Sequence, residues 1–225
     1  MKPKFIYRFI PQYISNECVV FFFSLMKFFQ RIKPYKIENH LLKNKREFEK
    51  HKDAIEKHGG YIEDQKSYQN MDYGQVTMAY AGCEIIAAYN ALWALSNQSI
   101  ELSELISVFE KDGMVFDGRF GTAPKAIKSF FEKNGFKVHF STKQKSFEEL
   151  VKQNDVLILT MYNDKSDIRE QIHTIAITKE KRGLLGHNVY GNGKVVGPEN
   201  SLTNLMKQIH HGNSKGISLI GIKKD

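Results

Sequence analysis

The segment that most constrains the fold is residues 83–96, CEIIAAYNALWALS. It contains neither Gly nor Pro, and it is rich in Ala and Leu, which have high helix propensity. Apolar residues cover nearly every face of the helix that it would form, so other elements must pack around it on all sides. The segment therefore predicts a buried central helix that begins at Cys83, directly after Gly82.

The elements on the C-terminal side of this helix change from helical to extended. Helices are predicted over 101–112 and 122–134, the second with Thr122 as N-cap, Pro124 in its first turn and Gly135 after its end. Apolar and alternating runs then predict strands at 136–140, 155–162, 171–178, 184–190 and 216–223, with short helices at 146–153 and 201–209. Helices followed by strands are typical of an α+β domain rather than an alternating α/β domain.

The positive charge of the chain is concentrated in its N-terminal third. Of the net charge of +8, residues 1–69 contribute +6 and residues 70–225 contribute +2. The later residues show no basic stripe with interleaved aromatic residues and no nucleic-acid-binding motif, so no nucleic-acid partner is expected. We therefore predict a basic and apolar helical extension over residues 1–68 and a main domain over residues 69–225.

Residues 19–29, VVFFFSLMKFF, form an apolar run within this extension. The run is too short for a spanning helix, which needs about 20 apolar residues. Three interpretations stay open for residues 1–35: a cleaved signal segment, an amphipathic segment at a membrane surface, or a helix that docks on the main domain. Residues 36–58 then predict an amphipathic helix, and residues 61–74 are polar and turn-rich, as in a linker. We expect a cytoplasmic protein, with peripheral membrane contact through residues 1–35 as the second possibility.

The chain has two cysteines, Cys18 and Cys83, which exclude a disulfide framework and a four-cysteine zinc site. The histidines show no metal-ligand spacing, and we expect neither metal nor cofactor. Cys83 is placed at a helix N-terminus, where the helix dipole and free N–H groups favour the nucleophilic thiolate. Cysteine is also common in protein cores, so its position alone leaves a structural role open.

A histidine in an apolar strand strengthens the catalytic interpretation. His173 lies within QIHTIAIT, where an unpartnered imidazole would be costly. A cysteine that opens a helix and a histidine on a later strand are the nucleophile and base of cysteine hydrolases. Asn188, on the next strand, would orient the imidazole, with Asn192 as the alternative. His187 would point to the opposite strand face and is expected to be structural or exposed.

An acyl-transfer site also needs donors for the oxyanion. The backbone N–H of Cys83 is one candidate. A side-chain amide from the segment before the helix would be the other. Gln75 is the nearest, and Gln69 and Asn70 are the alternatives.

Four segments together resemble the papain-like cysteine peptidases, in particular the branch related to the bacterial bacteriocin-processing peptidases that cut after a double-glycine leader. These segments are AGCEIIAAYNAL, GRFGTAPKAIKSFFEKNGFKV, QIHTIAIT and HNVYGNG, and the resemblance covers roughly residues 69–222. It implies a helical subdomain whose cysteine-bearing helix packs on a mainly antiparallel sheet. It also implies a Cys83–His173–Asn188 triad that hydrolyses peptide bonds through a thioester, with a peptide or protein as substrate.

The chain departs from that branch at several positions. Glu84-Ile85 follows the cysteine where the branch usually has Gly-Pro, and Thr174 follows the histidine where an aromatic residue is common. No Asp-Pro pair follows His173, and the chain contains no P-loop motif. Two alternatives to a peptidase therefore stay open: an acyl- or amide-transfer enzyme with the same triad, and an inactive peptide-binding or immunity module. A Glu84 side chain that turned inward would raise the pKa of Cys83.

Overall fold

The computed structural model describes residues 13–28, 34–96, 101–167 and 170–224. Its α-helices are α1 (Asn16–Phe28), α2 (Pro34–Glu49), α3 (Lys52–Lys57), α4 (Met78–Ala81), α5 (Cys83–Ser96), α6 (Leu102–Asp112), α7 (Pro124–Lys133), α8 (Phe147–Gln153) and α9 (Leu202–Gln208). The strands are β1 (Asp72–Tyr73), β2 (Val76–Thr77), β3 (Lys137–Ser141), β4 (Val156–Tyr162), β5 (Ile172–Glu180), β6 (Gly183–His187), β7 (Val196–Glu199) and β8 (Lys215–Lys223). The protein is therefore an α+β protein, as the order of its segments predicts.

Six strands form an antiparallel sheet in the order β3-β8-β4-β5-β6-β7, and β1 and β2 form a separate hairpin. Strand β4 is buried along its whole length at the centre of the sheet, because both faces are covered. Ala176 of β5 packs with α5 on one face, whereas Ile175 and Ile177 pack with α8 and α9 on the other. Side chains alternate across a strand, and this alternation creates the two cores.

Helix α5 occupies the centre of the larger core, and its bounds agree with the prediction from residues 83–96. Eleven of its 14 residues are buried, which explains why almost no face of it is polar. The predicted N-cap of α7 is wrong by one residue, since Ala123 rather than Thr122 takes that position. Thr122 instead pairs with the buried Tyr73 hydroxyl at 2.6 Å. Strand β7 was not predicted.

The N-terminal third is packed into the same core rather than held apart from it. Phe48 of α2 and Ile55 of α3 join the core cluster around α5. The linker interpretation of residues 61–74 is also wrong, because Ile62, Tyr68 and Met71 are buried in that cluster. Together with the buried Gln65, they recur at three-residue steps within a polar sequence, a pattern that an overall polarity argument overlooks.

Helix α1 docks on the main body through one face. Val19, Val20 and Phe23 pack against a small cluster that includes Val115 and Ile217. This agrees with the docking interpretation of the apolar run for the part of it that the structure describes. Among the described residues, no helix combines the length and the apolar character needed to cross a bilayer.

Asn90 holds the chain before β1 against the central helix. Its side chain is fully buried, accepts a hydrogen bond from the Ile62 N–H at 2.8 Å and donates one to the Ile62 carbonyl at 2.9 Å. An asparagine inside an otherwise apolar helix is tolerated because both of its polar atoms are paired with a neighbouring backbone.

Replacing Asn90 with Ala should therefore lower the free energy of unfolding by about 2–4 kcal/mol, because two buried backbone groups lose their partners. Chemical denaturation measures this change. Asn134→Ala is the matched control: Asn134 is exposed and donates only to the Phe130 carbonyl. Equal effects of the two substitutions would contradict the role assigned to Asn90.

Candidate active site

Cys83 lies where two helices meet. Helix α4 ends at Ala81, Gly82 makes the connection, and α5 begins at Cys83. A Cβ on Gly82 would lie 2.6 Å from the Met78 carbonyl oxygen, so the turn leaves no room for a side chain. This close approach fixes Cys83 at the N-terminus of α5, where the sequence predicts it.

Glu84 turns into the protein and contacts the thiol. Its side chain is 5% exposed, and the Cys83 Sγ–H donates to Glu84 Oε2 at 3.2 Å. The carboxyl group also accepts from the backbone N–H of Thr122. Gly121 makes this position possible, because a Cβ there would lie 2.7 Å from each carboxyl oxygen. Burial raises the pKa of Glu84 to about 7.

The environment of Cys83 disfavours its thiolate. Burial raises the pKa of Cys83 well above its ordinary value, and the charge of Glu84 and the hydrogen bond to it raise it further. The backbone N–H groups of Thr174 and Glu84 oppose this rise without overcoming it. The expectation that the helix N-terminus favours thiolate is therefore wrong for this state, because burial beside a carboxylate outweighs the helix dipole.

His173 has a defined tautomer. Its Nε2 lies 2.7 Å from the Asn188 backbone oxygen. A carbonyl can only accept, so Nε2 carries the hydrogen and Nδ1 keeps a free lone pair. Burial lowers the pKa of His173; the Asn188 carbonyl opposes this, while the positive charges of His210 and Lys66 lower it further. The ring is therefore a neutral base at neutral pH.

The residue predicted to orient His173 does so through its backbone. The Asn188 side chain instead pairs with Gln65: its Nδ2 donates to Gln65 Oε1 at 3.1 Å, and its Oδ1 accepts from the Gln65 N–H at 3.2 Å. Asn188 adopts the left-handed region with φ +57°, directly after β6 ends. The alternative, Asn192, lies exposed in the next turn, where its side chain accepts from the Lys194 N–H.

Gln65 is the residue that sequence reasoning missed. It is buried, and its Nε2 donates to the Met78 and Ala79 carbonyls at 3.2 and 3.3 Å. It thus connects Asn188, which holds the histidine, to the helix that precedes Cys83. Its place in the series of buried residues at three-residue steps, after Ile62 and before Tyr68, is the signal that could have identified it.

His187 has a structural environment, as one of its two expected roles requires. Its Nδ1 lies 2.5 Å from Glu63 Oε1, and its Nε2 lies 2.8 Å from Thr178 Oγ1. The ring stacks on Tyr61 with centroids 4.1 Å apart. Glu63 also accepts from the Asn188 N–H at 2.5 Å. The buried Glu63 therefore fixes the end of β6 and so the carbonyl that His173 uses.

Gln75, the first candidate for the oxyanion, is exposed and engaged elsewhere. Its Nε2 donates to Asp117 Oδ2 at 2.9 Å, and its Oε1 accepts from Arg119 at 3.3 Å. The alternatives, Gln69 and Asn70, are also exposed. None of the three amides has a contact with Cys83, so the structure gives no support to a side-chain oxyanion donor from this segment.

Cys83 meets β5 at the backbone of Thr174 rather than at the side chain of His173. The N–H of Thr174, the residue after His173, reaches the Cys83 sulfur closely enough to lower its pKa. The thiol hydrogen itself goes to Glu84, and the described residues show no hydrogen bond between Cys83 and His173. In this arrangement, therefore, the Cys83 sulfur is a thiol that donates its hydrogen to Glu84.

No group of three or more His, Cys, Asp or Glu residues in the described ranges could hold a metal ion. The comparisons with known proteins found no matching family model, no matching curated protein and no matching solved structure.

Proposed function

We propose that the protein is a papain-like cysteine peptidase in which Cys83 is the nucleophile and His173 is the base. The observation that supports this proposal is that Cys83 begins α5 next to β5, where the N–H of Thr174 acts on the sulfur, and that His173, the residue before Thr174, keeps Nδ1 free.

The chemistry follows from these positions. His173 Nδ1 takes the proton from Cys83, and the thiolate adds to the carbonyl carbon of a peptide. The C–N bond breaks, the amine leaves with the proton from His173, and a thioester remains. Water then adds to the thioester with His173 as base, which releases the acid and restores the thiol. The Cys83 N–H, at the start of α5, is the available backbone donor to the oxyanion.

The surroundings of Cys83 favour a substrate with apolar side chains. Tyr80 on α4 is 59% exposed. Phe116 and Phe120 are also exposed in the loop that ends at Gly121, and the centroids of their rings lie 5.2 Å apart. The two segments that flank Cys83 and Glu84 therefore each present aromatic surface to solvent, which suits the apolar residues of a peptide.

Hydrolysis and acyl transfer share the thioester and differ only in the group that accepts the acyl chain. Products formed from a peptide mixture with and without an added amine distinguish the two reactions.

The remaining alternative is an inactive peptide-binding module of this fold. The one observation in favour of this alternative is that Cys83 is protonated.

Labelling with iodoacetamide at pH 7.5 tests the roles of Cys83 and His173. The Cys83 sulfur attacks carbon, iodide leaves, and the proton passes through His173 to solvent. We expect His173→Ala to slow labelling of Cys83 by about 10²-fold, which is the ordinary worth of a positioned base, and to leave the exposed Cys18 unaffected. Mass spectrometry of the two cysteine peptides measures both rates. Slow labelling of Cys83 that does not respond to His173→Ala would favour the inactive module.

We also propose that α1 contacts an anionic membrane surface. After Val19, Val20 and Phe23 are buried, the helix still exposes Phe21, Phe22 and Leu25, at 63%, 46% and 40%. The helix is thus apolar on two faces, one docked and one open. Residues 1–69 carry a net charge of +6, which complements anionic lipid headgroups.

Sedimentation with phosphatidylcholine vesicles, with and without phosphatidylserine, tests this contact. We expect binding only to the anionic vesicles and a loss of about tenfold in the double variant Phe21→Ser, Phe22→Ser, because two aromatic rings no longer enter the headgroup layer. Val195→Ser is the control, since Val195 is an exposed apolar residue directly before β7, at the edge of the sheet opposite β3. Equal binding by the double variant and the control would refute the role of α1.

A further inference from the structure

Glu84 is a buried ionisable group in contact with Cys83 that the mechanism above does not use. Its carboxyl group contacts the nucleophile, occupies the space left by Gly121 and accepts from the Thr122 N–H. Buried carboxyl groups are rare unless they have partners. Here the hydrogen-bonding partners are a thiol and backbone N–H groups, and within the described chain no Lys, Arg or His forms an ion pair with it.

We propose that Glu84 is a proton-operated lock on Cys83: the ionised carboxylate holds the hydrogen on the sulfur, and the protonated carboxyl allows the thiol to ionise. The inference rests on Cys83 being the nucleophile, but it does not depend on His173 being the base.

Electrostatics determines which protonation state of Glu84 keeps the hydrogen on the Cys83 sulfur. A thiolate beside an ionised carboxylate in a buried position places two negative charges in contact, which is strongly unfavourable. The carboxylate also accepts the S–H hydrogen, a bond that only the thiol can make. A protonated Glu84 removes both effects and can donate its own hydrogen to the thiolate.

The groups that face Glu84 do not alter this direction. From β1, the Tyr73 hydroxyl is the ionisable neighbour, and burial raises its pKa well above the ordinary value, so it stays neutral. Glu110 of α6 also acts on Tyr73; a negative charge there would disfavour both the Glu84 carboxylate and the Cys83 thiolate, so it leaves the direction of the Glu84 effect unchanged. From β5 and from the loop before α7, Thr174 and Thr122 face the pair with backbone N–H groups.

The pH range follows from the raised pKa of Glu84, about 7. Below that pH the carboxyl is protonated and the lock is open; above it the carboxylate is ionised and the lock is closed. The protonated fraction of Glu84 falls tenfold per pH unit above pH 7, while the tendency of the thiol to ionise rises tenfold. The two trends cancel, so the reactivity of Cys83 should level off above about pH 7 rather than keep rising.

The test compares iodoacetamide labelling of Cys83 in the full-length protein and in Glu84→Gln between pH 5 and pH 9. Glutamine keeps the shape of a protonated glutamic acid but cannot ionise. We expect the ratio of variant to wild-type rates to be constant below about pH 6 and to grow about tenfold per pH unit above pH 7. Glu104→Gln is the matched control, because Glu104 also lies in the first turn of a helix but is exposed.

Two results would overturn the lock. One is a rate ratio that does not change with pH, and the other is slower labelling of Glu84→Gln at every pH, which would make Glu84 a base. If Glu84→Gln does not fold by circular dichroism, the wild-type profile alone decides. A plateau above about pH 7 supports the lock, and a tenfold rise per pH unit throughout excludes it. His173→Ala in the Glu84→Gln background tests the proposed base separately, so either idea can fail without the other.

Discussion

A thiol and a carboxyl group share one buried position at the start of the central helix, and most of the site depends on this contact. Cys83 can lie there because Gly82 allows α4 and α5 to meet closely. Glu84 can turn inward because Gly121 leaves space for its oxygens and Thr122 supplies an N–H. The contact keeps the sulfur protonated. A reactive cysteine at this position therefore needs a base and a change in the charge of its neighbour.

A second set of buried interactions, at the end of β6, fixes His173, the proposed base. Glu63 holds the end of β6 through the Asn188 N–H, and the Asn188 carbonyl in turn fixes the hydrogen of His173 on Nε2. Gln65 hydrogen-bonds both the Asn188 side-chain amide and the backbone of α4. Asn90 of α5 hydrogen-bonds the backbone of the nearby Ile62. The segment from 61 to 65 thus connects α4 and α5 to Asn188, whose carbonyl holds His173.

Local patterns were sufficient to predict most elements, including the start of the central helix at Cys83 and the strand that contains His173. Two signals are visible in the sequence without tertiary information: the apolar character of residues 83–96 and the isolated His173 in an apolar strand. The orientation of Glu84 could not be predicted, because it depends on the space above Gly121, which comes from a distant loop. The use of the Asn188 carbonyl rather than its amide depends on a left-handed backbone at the end of β6. Gln65 could not be identified because its segment is polar in composition, so that the sequence does not show which of its polar residues are buried.

The most direct measurement is the protonation state of the His173 ring by two-bond ¹H–¹⁵N correlation NMR at pH 7, assigned with His173→Gln. A neutral ring with the hydrogen on Nε2 is expected, because the Asn188 carbonyl accepts it and burial lowers the pKa of the ring. Nδ1 would then be free to take the proton of Cys83. A hydrogen on Nδ1, or a charged ring at this pH, would contradict the assignment of His173 as the base.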